Sequence, residues 1–218
     1  MADDRRDVRE TYDAIAEHFA RTRAYPWPET EAFCEDHSGD TAVDVGCGNG
    51  RNAEPLAACA DHVVGVDASG RLLDVARERV PTATFLQGDA ARLPLAGDVA
   101  DLGVYVATLH HLPGRRLRRR SLDELARVLV PGGEALVSAW STAHDRFDAP
   151  AGAETGFDTH VDWTLSGGET VPRFYHIYAP AEFEADLAAS DLATVRSWRS
   201  SGNCYAVVSP ADEERKGP

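Results

Sequence analysis

Three glycines and an aspartate lie close together in the segment Val43 to Gly50, which follows a short apolar run. Glycine has no Cβ, so a glycine turn lets backbone N–H groups approach a ligand closely. The segment begins like the dinucleotide-binding pattern G-x-G-x-x-G, but Arg51 stands at the last glycine position. Asp44 lies two residues before the first glycine, where its carboxylate would repel a pyrophosphate and attract a cation. The segment therefore predicts a binding turn for a positively charged ligand, with a generic Rossmann turn as the alternative.

Further acidic residues follow the next predicted strands. His62 to Val66 is predicted to be a buried strand that ends at Asp67. This acid stands about 20 residues after the first glycine, where it can accept hydrogen bonds from both hydroxyls of a ribose. Thr82 to Gln87 is predicted to be a third strand, and Gly88-Asp89-Ala90 follows it. An acid there can bind an adenine amino group, while the N–H of the next residue meets a ring nitrogen.

A parallel sheet would bring these residues together. The predicted strands alternate with helices at Arg51 to Cys59, Ser69 to Arg79 and Leu117 to Leu129, which indicates a parallel sheet with helices on both faces. A fourth strand ends at Thr108 to His111, and a fifth runs from Glu134 to Trp140. Ligands bind to such sheets outside the carboxyl ends of the strands, and all the residues named above fall at those ends.

This combination resembles the class I S-adenosylmethionine (SAM) methyltransferases. A dehydrogenase would explain Asp67 but neither Asp44 nor Gly88-Asp89-Ala90. The resemblance implies an α/β fold of the Rossmann-like class I type, with a seven-stranded, mostly parallel sheet and helices on both faces. The segments 193–198 and 204–209 are expected to form the antiparallel hairpin that closes the sheet.

The same resemblance implies SAM as the cofactor and S-adenosylhomocysteine as the product. The residues expected to bind the cofactor are Tyr12, Asp44, Gly46, Cys47, Gly48, Asn49, Gly50, Asp67, Ala68, Gly88, Asp89, Ala90 and Thr108. The four cysteines are scattered and form no CxxC pair, so no metal site is expected in this chain.

Other segments resemble a narrower family, the tRNA wobble-uridine methyltransferases. These enzymes convert the carboxylate of 5-carboxymethyluridine to a methyl ester, and in animals the domain is fused to an AlkB-like dioxygenase. The likeness covers most of residues 8 to 208. The matching segments are Tyr12 to Arg23, Pro26 to Pro28, Asp44 to Gly50, His110-His111, Arg127 to Gly133, Trp140, Arg173 to Tyr178 and Gly202 to Cys204.

This narrower resemblance implies a set of acceptor-site residues. Arg23 and Arg173 are expected to clamp a carboxylate or a phosphate, and which arginine holds the reacting acid is left open. His110 is expected to be a donor, and the stacking or donor groups would be Trp140, Tyr175 and His176. His111 is expected to be structural. A carboxylate is ionised at neutral pH, so the reaction needs no general base.

The charge composition indicates a high-salt environment. The chain of 218 residues has a net charge of −14, and Lys216 is its only lysine. This pattern is typical of haloarchaeal cytoplasmic proteins, with an acidic mesophile of GC-rich genome as the alternative. At molar salt the Debye length is about 3 Å, so local basic patches indicate nucleic-acid contact better than net charge does. The cluster Arg115 to Arg120 is expected either to meet tRNA phosphates or to be a solvated helix face.

The remaining expectations concern organisation and partners. Residues 1–210 are expected to form one methyltransferase domain, with 141–172 as an insertion or lid and 211–218 as a charged tail. No apolar run approaches the roughly 20 residues that span a bilayer and no signal-peptide core is seen, so a cytoplasmic location is expected. The family resemblance also implies a small zinc-binding activator subunit, which would add a strand at the edge formed by residues 82–87.

Two other functions are compatible with these patterns. The first is methylation of a small acid, phenol or quinone precursor. The second is a SAM-binding subunit that has no activity of its own and acts through its partner. The segments around Arg23 and Arg173 favour the tRNA-modifying enzyme over both.

Overall fold

Two β-sheets make up the strand structure of the computed structural model, which describes residues 2–147 and 152–211. The strands are β1 (Gly39–Val45), β2 (Ala60–Asp67), β3 (Thr84–Gln87), β4 (Ala100–Tyr105), β5 (Leu129–Trp140), β6 (Phe157–Thr164), β7 (Thr170–Ile177), β8 (Leu192–Ser200) and β9 (Asn203–Pro210). The large sheet has the order β3-β2-β1-β4-β5-β9-β8. Strand β9 runs antiparallel to both of its neighbours, β5 and β8, and the other paired strands of that sheet are parallel. The predicted α/β fold and its closing antiparallel hairpin are confirmed.

Helices cover both faces of the large sheet. They are α1 (Ala2–Thr22), α2 (Pro28–Asp36), α3 (Ala53–Cys59), α4 (Gly70–Arg79), α5 (Arg115–Val128) and α6 (Pro180–Ala188). Local sequence fixes several starts: Pro28 and Pro180 stand in the first turn, and the Ser69 hydroxyl caps α4 by accepting the Leu72 N–H at 3.1 Å. Among the helices of the described residues, none is long and apolar enough to cross a membrane.

The central strands are buried on both faces, which explains their nearly continuous apolar sequences. Neighbouring residues of one strand enter different core clusters, as Val104 and Tyr105 of β4 do. Phe183 of α6 lies in the same cluster as Tyr105, and Phe33 of α2 lies in that of Val104. The sheet is therefore rigid, and it fixes where each strand presents its carboxyl end.

The segment predicted as an insertion or lid contains a strand that the sequence interpretation missed. Strands β6 and β7 pair antiparallel as a separate two-stranded sheet. In β6 the buried residues are Val161 and Trp163, and their neighbours His160 and Asp162 are exposed. This alternation is a strand pattern, so the prediction of weak periodicity was wrong here. The predicted tail beyond residue 211 and residues 148–151 lie outside the described residues.

The β6–β7 hairpin is attached to the large sheet at the end of β5. Tyr178 N–H donates to the Trp140 carbonyl at 2.9 Å, and Thr142 N–H donates to the Tyr178 carbonyl at 2.9 Å. Below the hairpin, the Glu182 carboxylate of α6 accepts the Gly156 N–H at 2.6 Å. These bonds hold the hairpin beside the carboxyl end of the sheet, where the candidate site lies.

Candidate functional site

The glycine loop after β1 adopts backbone angles that favour glycine. Gly46, Gly48 and Gly50 have φ values of +71°, +53° and +77°, in the left-handed region. At Gly46 the restriction is also steric, because an added Cβ would lie 2.1 Å from a side-chain carbon of Thr108. The Gly46 and Cys47 N–H groups both donate to the Val66 carbonyl of β2, at 2.7 and 3.1 Å. The loop is thus fixed against the end of the neighbouring strand.

Asp67, at the end of β2, links the glycine loop to the start of α4. Its Oδ2 accepts the Gly48 N–H at 2.9 Å, and its Oδ1 accepts the Ser69 N–H at 2.8 Å. Burial raises the pKa of this carboxyl, while the backbone N–H bonds act in the opposite direction. An ionised carboxylate has about four lone-pair positions, so both oxygens keep capacity for ligand hydroxyls.

Asp44 lies beneath the glycine loop, 1% exposed, and its Oδ2 has no hydrogen-bond partner among the described residues. Burial raises its pKa to about 8, the nearby Asp67 adds to the shift, and Arg51 opposes it. Asp44 is therefore largely protonated at pH 7 in the ligand-free protein. A cation bound above it would favour the ionised form, which makes this position a counter-charge for a cationic ligand.

Cofactor binding at pH 7 is expected to release a proton from Asp44, because the cationic ligand lowers the raised pKa of that group. Calorimetry in two buffers of different ionisation enthalpy measures this release, and Asp44→Asn should remove it. Equal binding enthalpies in both buffers for the unmodified protein would contradict the assignment. In the ligand-free protein Asp44 also lowers stability as pH rises from about 4 to about 8, because the folded state retains a proton that the unfolded state has lost.

A cavity of about 630 Å³ opens at this edge of the sheet. Most predicted cofactor residues line it: Tyr12, Gly46, Cys47, Gly48, Asn49, Asp67, Ala68, Gly88, Asp89, Ala90 and Thr108. Asp44 is buried below the cavity, and Gly50 instead packs against Ala76 of α4. Helix α1 supplies wall residues that the sequence interpretation missed, including Arg9 and Phe19. The cavity is large enough for a nucleoside-sized ligand.

Both carboxylate oxygens of Asp89, which was predicted to bind adenine, already have partners within the protein. Its Oδ1 accepts the Ala91 N–H at 2.8 Å, and its Oδ2 pairs with the Arg5 guanidinium at 2.5 Å. The pair is about 40% exposed on both sides, so it contributes little to stability. Arg5 lies over this end of the cavity, and a bound base would share the Asp89 carboxylate with it.

Two adjacent histidines separate the cavity from the β6–β7 hairpin, and both are neutral. His111 Nδ1–H donates to the Phe174 carbonyl at 3.0 Å, so its Nε2 accepts the Tyr12 hydroxyl at 2.8 Å. Burial lowers the pKa of His111 to about 3. Both of its ring nitrogens are thus used within the protein, and His111 connects the cavity wall to β7.

His110 has the opposite tautomer. Its Nδ1 accepts the backbone N–H of Trp140 at 3.0 Å, so the proton of the neutral ring is on Nε2. Burial holds its pKa well below the usual value, and His111 and Arg173 act in the same direction. The ring stacks on Tyr175 with centroids 5.0 Å apart. His110 is therefore a neutral hydrogen-bond donor, as the predicted role requires.

Arg173 and Arg23 meet at one aromatic ring, although 150 residues separate them in the chain. The Cζ atoms of Arg173 and Arg23 lie 4.6 and 5.1 Å from the ring centre of Trp163. The indole N–H of Trp163 donates to His18 Nδ1 at 2.9 Å, which anchors β6 to α1. Arg23 is exposed, whereas Arg173 is only 7% exposed. Arg23 and Arg173 therefore lie at the same aromatic ring, Arg23 at the surface and Arg173 in the interior.

Arg173 is a buried cation without a paired anion. Its Nε has no hydrogen-bond partner, and no ion pair with a carboxylate is found for it within the described part of the chain. Among the described residues its neighbours offer no anion: the Tyr175 ring centre lies 5.1 Å from its Cζ, His110 lies beyond that ring, and the Trp163 ring is shared with a second cation, Arg23. An unpaired buried guanidinium is unfavourable, so this position is suited to an anionic ligand.

Trp140 and Tyr175 form the aromatic wall of the same region. Their ring centroids lie 5.2 Å apart, and the ring centroids of Phe147 and Trp140 are 5.0 Å apart. The Arg146 guanidinium lies 5.9 Å from the Trp140 ring centre. Neither Arg146 nor Trp163 was among the predicted site residues. The alternation of buried residues around Trp163 was the available signal in the sequence.

The predicted role of His176 in the acceptor site was wrong. Successive side chains of a strand point to opposite faces, so His176 faces away from Tyr175 and Arg173. Its Nδ1 lies 2.7 Å from Asp158 Oδ1, and its Nε2 lies 3.1 Å from Glu182 Oε2. His176 ties β6, β7 and α6 together from behind the site.

Three of the five arginines at the start of α5 are paired with buried carboxylates, while Arg116 and Arg120 are exposed. Arg115 and Arg119 both pair with the fully buried Asp186, at 2.6 and 2.8 Å. Arg118 is 2% exposed and pairs with Glu182 at 3.5 Å. These three arginines neutralise the carboxylates of α6, so the prediction that they meet tRNA is corrected to a structural role.

Comparison with known proteins agrees with this geometry. A family profile described as a methyltransferase domain matches residues 43–137. The tRNA (carboxymethyluridine(34)-5-O)-methyltransferase of Schizosaccharomyces pombe is 30% identical over 192 residues, which cover 87% of this chain and 79% of that protein. The enzyme of the same name from Arabidopsis thaliana is 35% identical over 139 residues, or 63% of this chain. The matched region is about a third of that protein's length, at 33%.

A solved structure shares the fold. In a complex between the Haloferax volcanii Trm112 methyltransferase activator and a methyltransferase, a chain superimposes with a TM-score of 0.66 at 16% identity, covering 92% of this chain and 98% of its own length. The strand order, the glycine loop and the cavity define the present chain as a class I SAM-dependent methyltransferase. Its relationship to the Schizosaccharomyces pombe enzyme makes it a member of the tRNA carboxymethyluridine methyltransferase family.

SAM is the cofactor of this class, and the cavity fits it. The unpaired Oδ2 of buried Asp44 lies below the loop and suits a cationic ligand. Asp67 keeps lone pairs for ribose hydroxyls, and the space in front of Gly48 is open except for Phe19 at 3.9 Å from an added Cβ. When bound, SAM supplies an electrophilic methyl group on its sulfonium sulfur.

Proposed function

We propose that this protein methylates the carboxylate of 5-carboxymethyluridine at the tRNA wobble position and forms the methyl ester. The observation that carries the proposal is Arg173, a buried cation with no anionic partner in the described part of the chain. It lies beside the neutral donor His110 and the aromatic rings of Tyr175 and Trp140. A carboxylate attached to a planar base matches this set, because the arginine binds the acid and the rings stack on the base.

The residues present are sufficient for this chemistry without a general base. The acceptor carboxylate is already ionised at neutral pH, so no proton has to be removed before it attacks a methyl group. The buried surroundings of Arg173 exclude water, which strengthens the electrostatic contact and leaves the nucleophile less solvated. His110 would orient the acid through its Nε2–H, and the arginine would hold it in line.

The depth of the two arginines supports a division of roles. Arg173 lies next to His110 and the cavity wall, so we assign it to the reacting carboxylate. Arg23 is exposed on the outer side of Trp163, so it would contact a phosphate of the same nucleotide strand. Trp163 holds both guanidinium groups at one ring and thereby fixes their spacing.

The proposal is tested with a tRNA that carries 5-carboxymethyluridine at the wobble position. Nucleoside mass spectrometry after incubation with the protein and SAM should detect the methyl ester, and the same tRNA with unmodified uridine serves as the control. Methylation of a free small acid in the absence of RNA would favour the small-molecule alternative. Cofactor binding without turnover on any tRNA, with an activator subunit present, would favour the non-catalytic alternative.

An activator subunit is part of the proposal. A related fold occurs in complex with the Trm112 activator, and β3 lies at the edge of the large sheet. Gly88 N–H donates to the Asp67 carbonyl of β2, so by alternation the backbone groups of Phe85 and Gln87 face away from β2. The side chain of Arg77 covers the Phe85 carbonyl at 3.1 Å. A partner strand would replace that contact and pair with this edge.

Hydrogen exchange is expected to locate the partner at β3. Adding a zinc-binding activator of the Trm112 type should slow exchange of the Phe85 and Gln87 amides, because their N–H groups face outward from the sheet. The opposite edge, β8, is the internal control and should exchange as before. Protection of β8 with β3 unchanged would contradict the proposed docking edge. Zinc analysis of the purified complex identifies the metal of the partner.

The working environment is also proposed. A net charge of −14 with a single lysine supports a high-salt archaeal cytoplasm.

One methyltransferase domain over residues 1–210 is consistent with the single large sheet and its attached hairpin.

A further inference from the structure

The loop of residues 23–27, between α1 and α2, carries a tyrosine whose side chain is almost fully exposed to solvent. Tyr25 is 84% exposed, more than any other large hydrophobic side chain of the described residues. The loop begins at Arg23, which lies against Trp163 in the acceptor site. The exposed ring is therefore two residues along the chain from a group that we place at the substrate.

The backbone of this loop is held in place from the cofactor side. Asn49 of the glycine loop donates to the Arg23 carbonyl at 3.0 Å, and the Arg79 guanidinium of α4 donates to the Ala24 carbonyl. Trp27 N–H donates to the Asn52 side-chain carbonyl at 3.4 Å. The main chain is thus fixed on both sides of Tyr25 while its ring projects into solvent. Because the backbone is already ordered, binding through this ring carries a smaller entropic cost than binding through a mobile loop would.

Positive charge collects around the loop, in contrast to the acidic chain as a whole. The Arg51 guanidinium lies 5.3 Å from the ring centre of Trp27. Burial lowers the pKa of Arg51 to about 10, and Arg23 and Arg79 act in the same direction, which places the three cations near one another. Glu54 offsets one of them through its 2.8 Å pair with Arg79.

We propose that Tyr25 stacks on an unpaired RNA base next to the target nucleotide, while the exposed Arg23 contacts a phosphate of that strand. Stacking on aromatic rings and cations along the backbone are the two general features of single-strand recognition. In the other basic cluster, Arg115, Arg118 and Arg119 of α5 are paired with the carboxylates of α6. This inference rests on the proposed tRNA substrate and extends it by naming the surface that receives the anticodon loop.

The test uses a fluorescently labelled anticodon stem-loop that carries 5-carboxymethyluridine and measures its binding by anisotropy. Tyr25→Leu, which keeps an apolar side chain but removes the ring, should weaken binding about 5- to 100-fold. Tyr25→Phe, which keeps the ring, should bind like the unmodified protein. The affinity for SAM and kcat at saturating RNA should be unchanged in both variants. Arg23→Gln should also weaken RNA binding, and Arg196→Gln, on the remote strand β8, controls for the general loss of surface charge.

Equal RNA affinity for Tyr25→Leu and the unmodified protein would overturn the inference. Loss of activator binding in Tyr25→Leu with RNA affinity retained would also overturn it and would assign the ring to a protein contact. The binding measurement needs no turnover, so its result is separate from that of the methylation assay. Tight RNA binding that depends on Tyr25, with no ester formed, would refute the proposed reaction. It would still support Tyr25 as part of an RNA-binding surface.

Discussion

Arg173→Met is expected to lower kcat/KM on tRNA containing 5-carboxymethyluridine by about 100-fold or more. The variant removes the buried guanidinium that would bind the reacting carboxylate and leaves that acid without a partner. The affinity for SAM should be unchanged, because Arg173 does not line the cofactor cavity. The melting temperature of the ligand-free protein should not fall, because methionine replaces a cation that has no paired anion. Steady-state kinetics, calorimetry and thermal unfolding measure the three quantities.

A control for this variant lies on β8, an edge strand of the large sheet, away from the β6–β7 hairpin. The Arg196 guanidinium lies 4.9 Å from the ring centre of Trp198, close to the 4.6 Å between Arg173 and Trp163. Arg196→Met therefore removes the same type of cation–aromatic contact away from the site and should retain full activity. If Arg173→Met loses SAM affinity together with turnover, the assignment of Arg173 to the acceptor side is wrong.

Asp67→Ala is expected to weaken SAM binding by about 100-fold or more, because several charge-assisted hydrogen bonds depend on this one carboxylate. The substitution leaves the Gly48 and Ser69 N–H groups without their acceptor and removes the group available to the ribose hydroxyls. Asp67→Asn keeps the shape of the side chain and one acceptor oxygen. Its affinity for SAM should therefore lie between that of the unmodified protein and that of Asp67→Ala. Calorimetric titration with SAM measures the affinities.

Asp101 provides the control for loss of a carboxylate that accepts two backbone N–H groups. Its Oδ2 accepts the Asp40 and Thr41 N–H groups at 3.0 and 2.8 Å, at the other end of β1. Asp101→Ala should lower thermal stability and leave SAM affinity unchanged. If both variants lose SAM affinity to the same extent, Asp67 acts only through the stability of the sheet.

The cofactor side of the site could be predicted from sequence because its geometry is set by the sheet. Parallel strands place their carboxyl ends at one edge, so the order of strands alone brings the glycine loop, Asp67 and Asp89 together. Of the wall contributed by α1, Tyr12 was expected from the family resemblance alone, and Arg9 and Phe19 were missed. The contacts of this wall, such as Tyr12 with His111, join segments 99 residues apart that no local pattern relates.

The acceptor side was predicted only in part, from the two arginine-bearing segments. Their meeting point, Trp163, depends on the fold of the β6–β7 hairpin against α1, which is a non-local contact. Three arginines of α5 were misinterpreted because a sequence displays charges without their partners, and Asp186 lies 71 residues beyond Arg115. His176 was misplaced because its neighbour Tyr175 faces the opposite side of the same strand.

The Arg77 side chain partly protects the exposed edge of β3 from pairing with other strands. By occupying the outward carbonyl of Phe85, its long charged side chain discourages other copies of the chain from pairing there and growing into aggregates. A specific partner has to supply a replacement for this charge-assisted hydrogen bond, which is worth about 1.5–3 kcal/mol. A strand that offers only backbone pairing is therefore disfavoured at this edge. The Arg77 side chain thus contributes to the choice of the strand that can bind to β3.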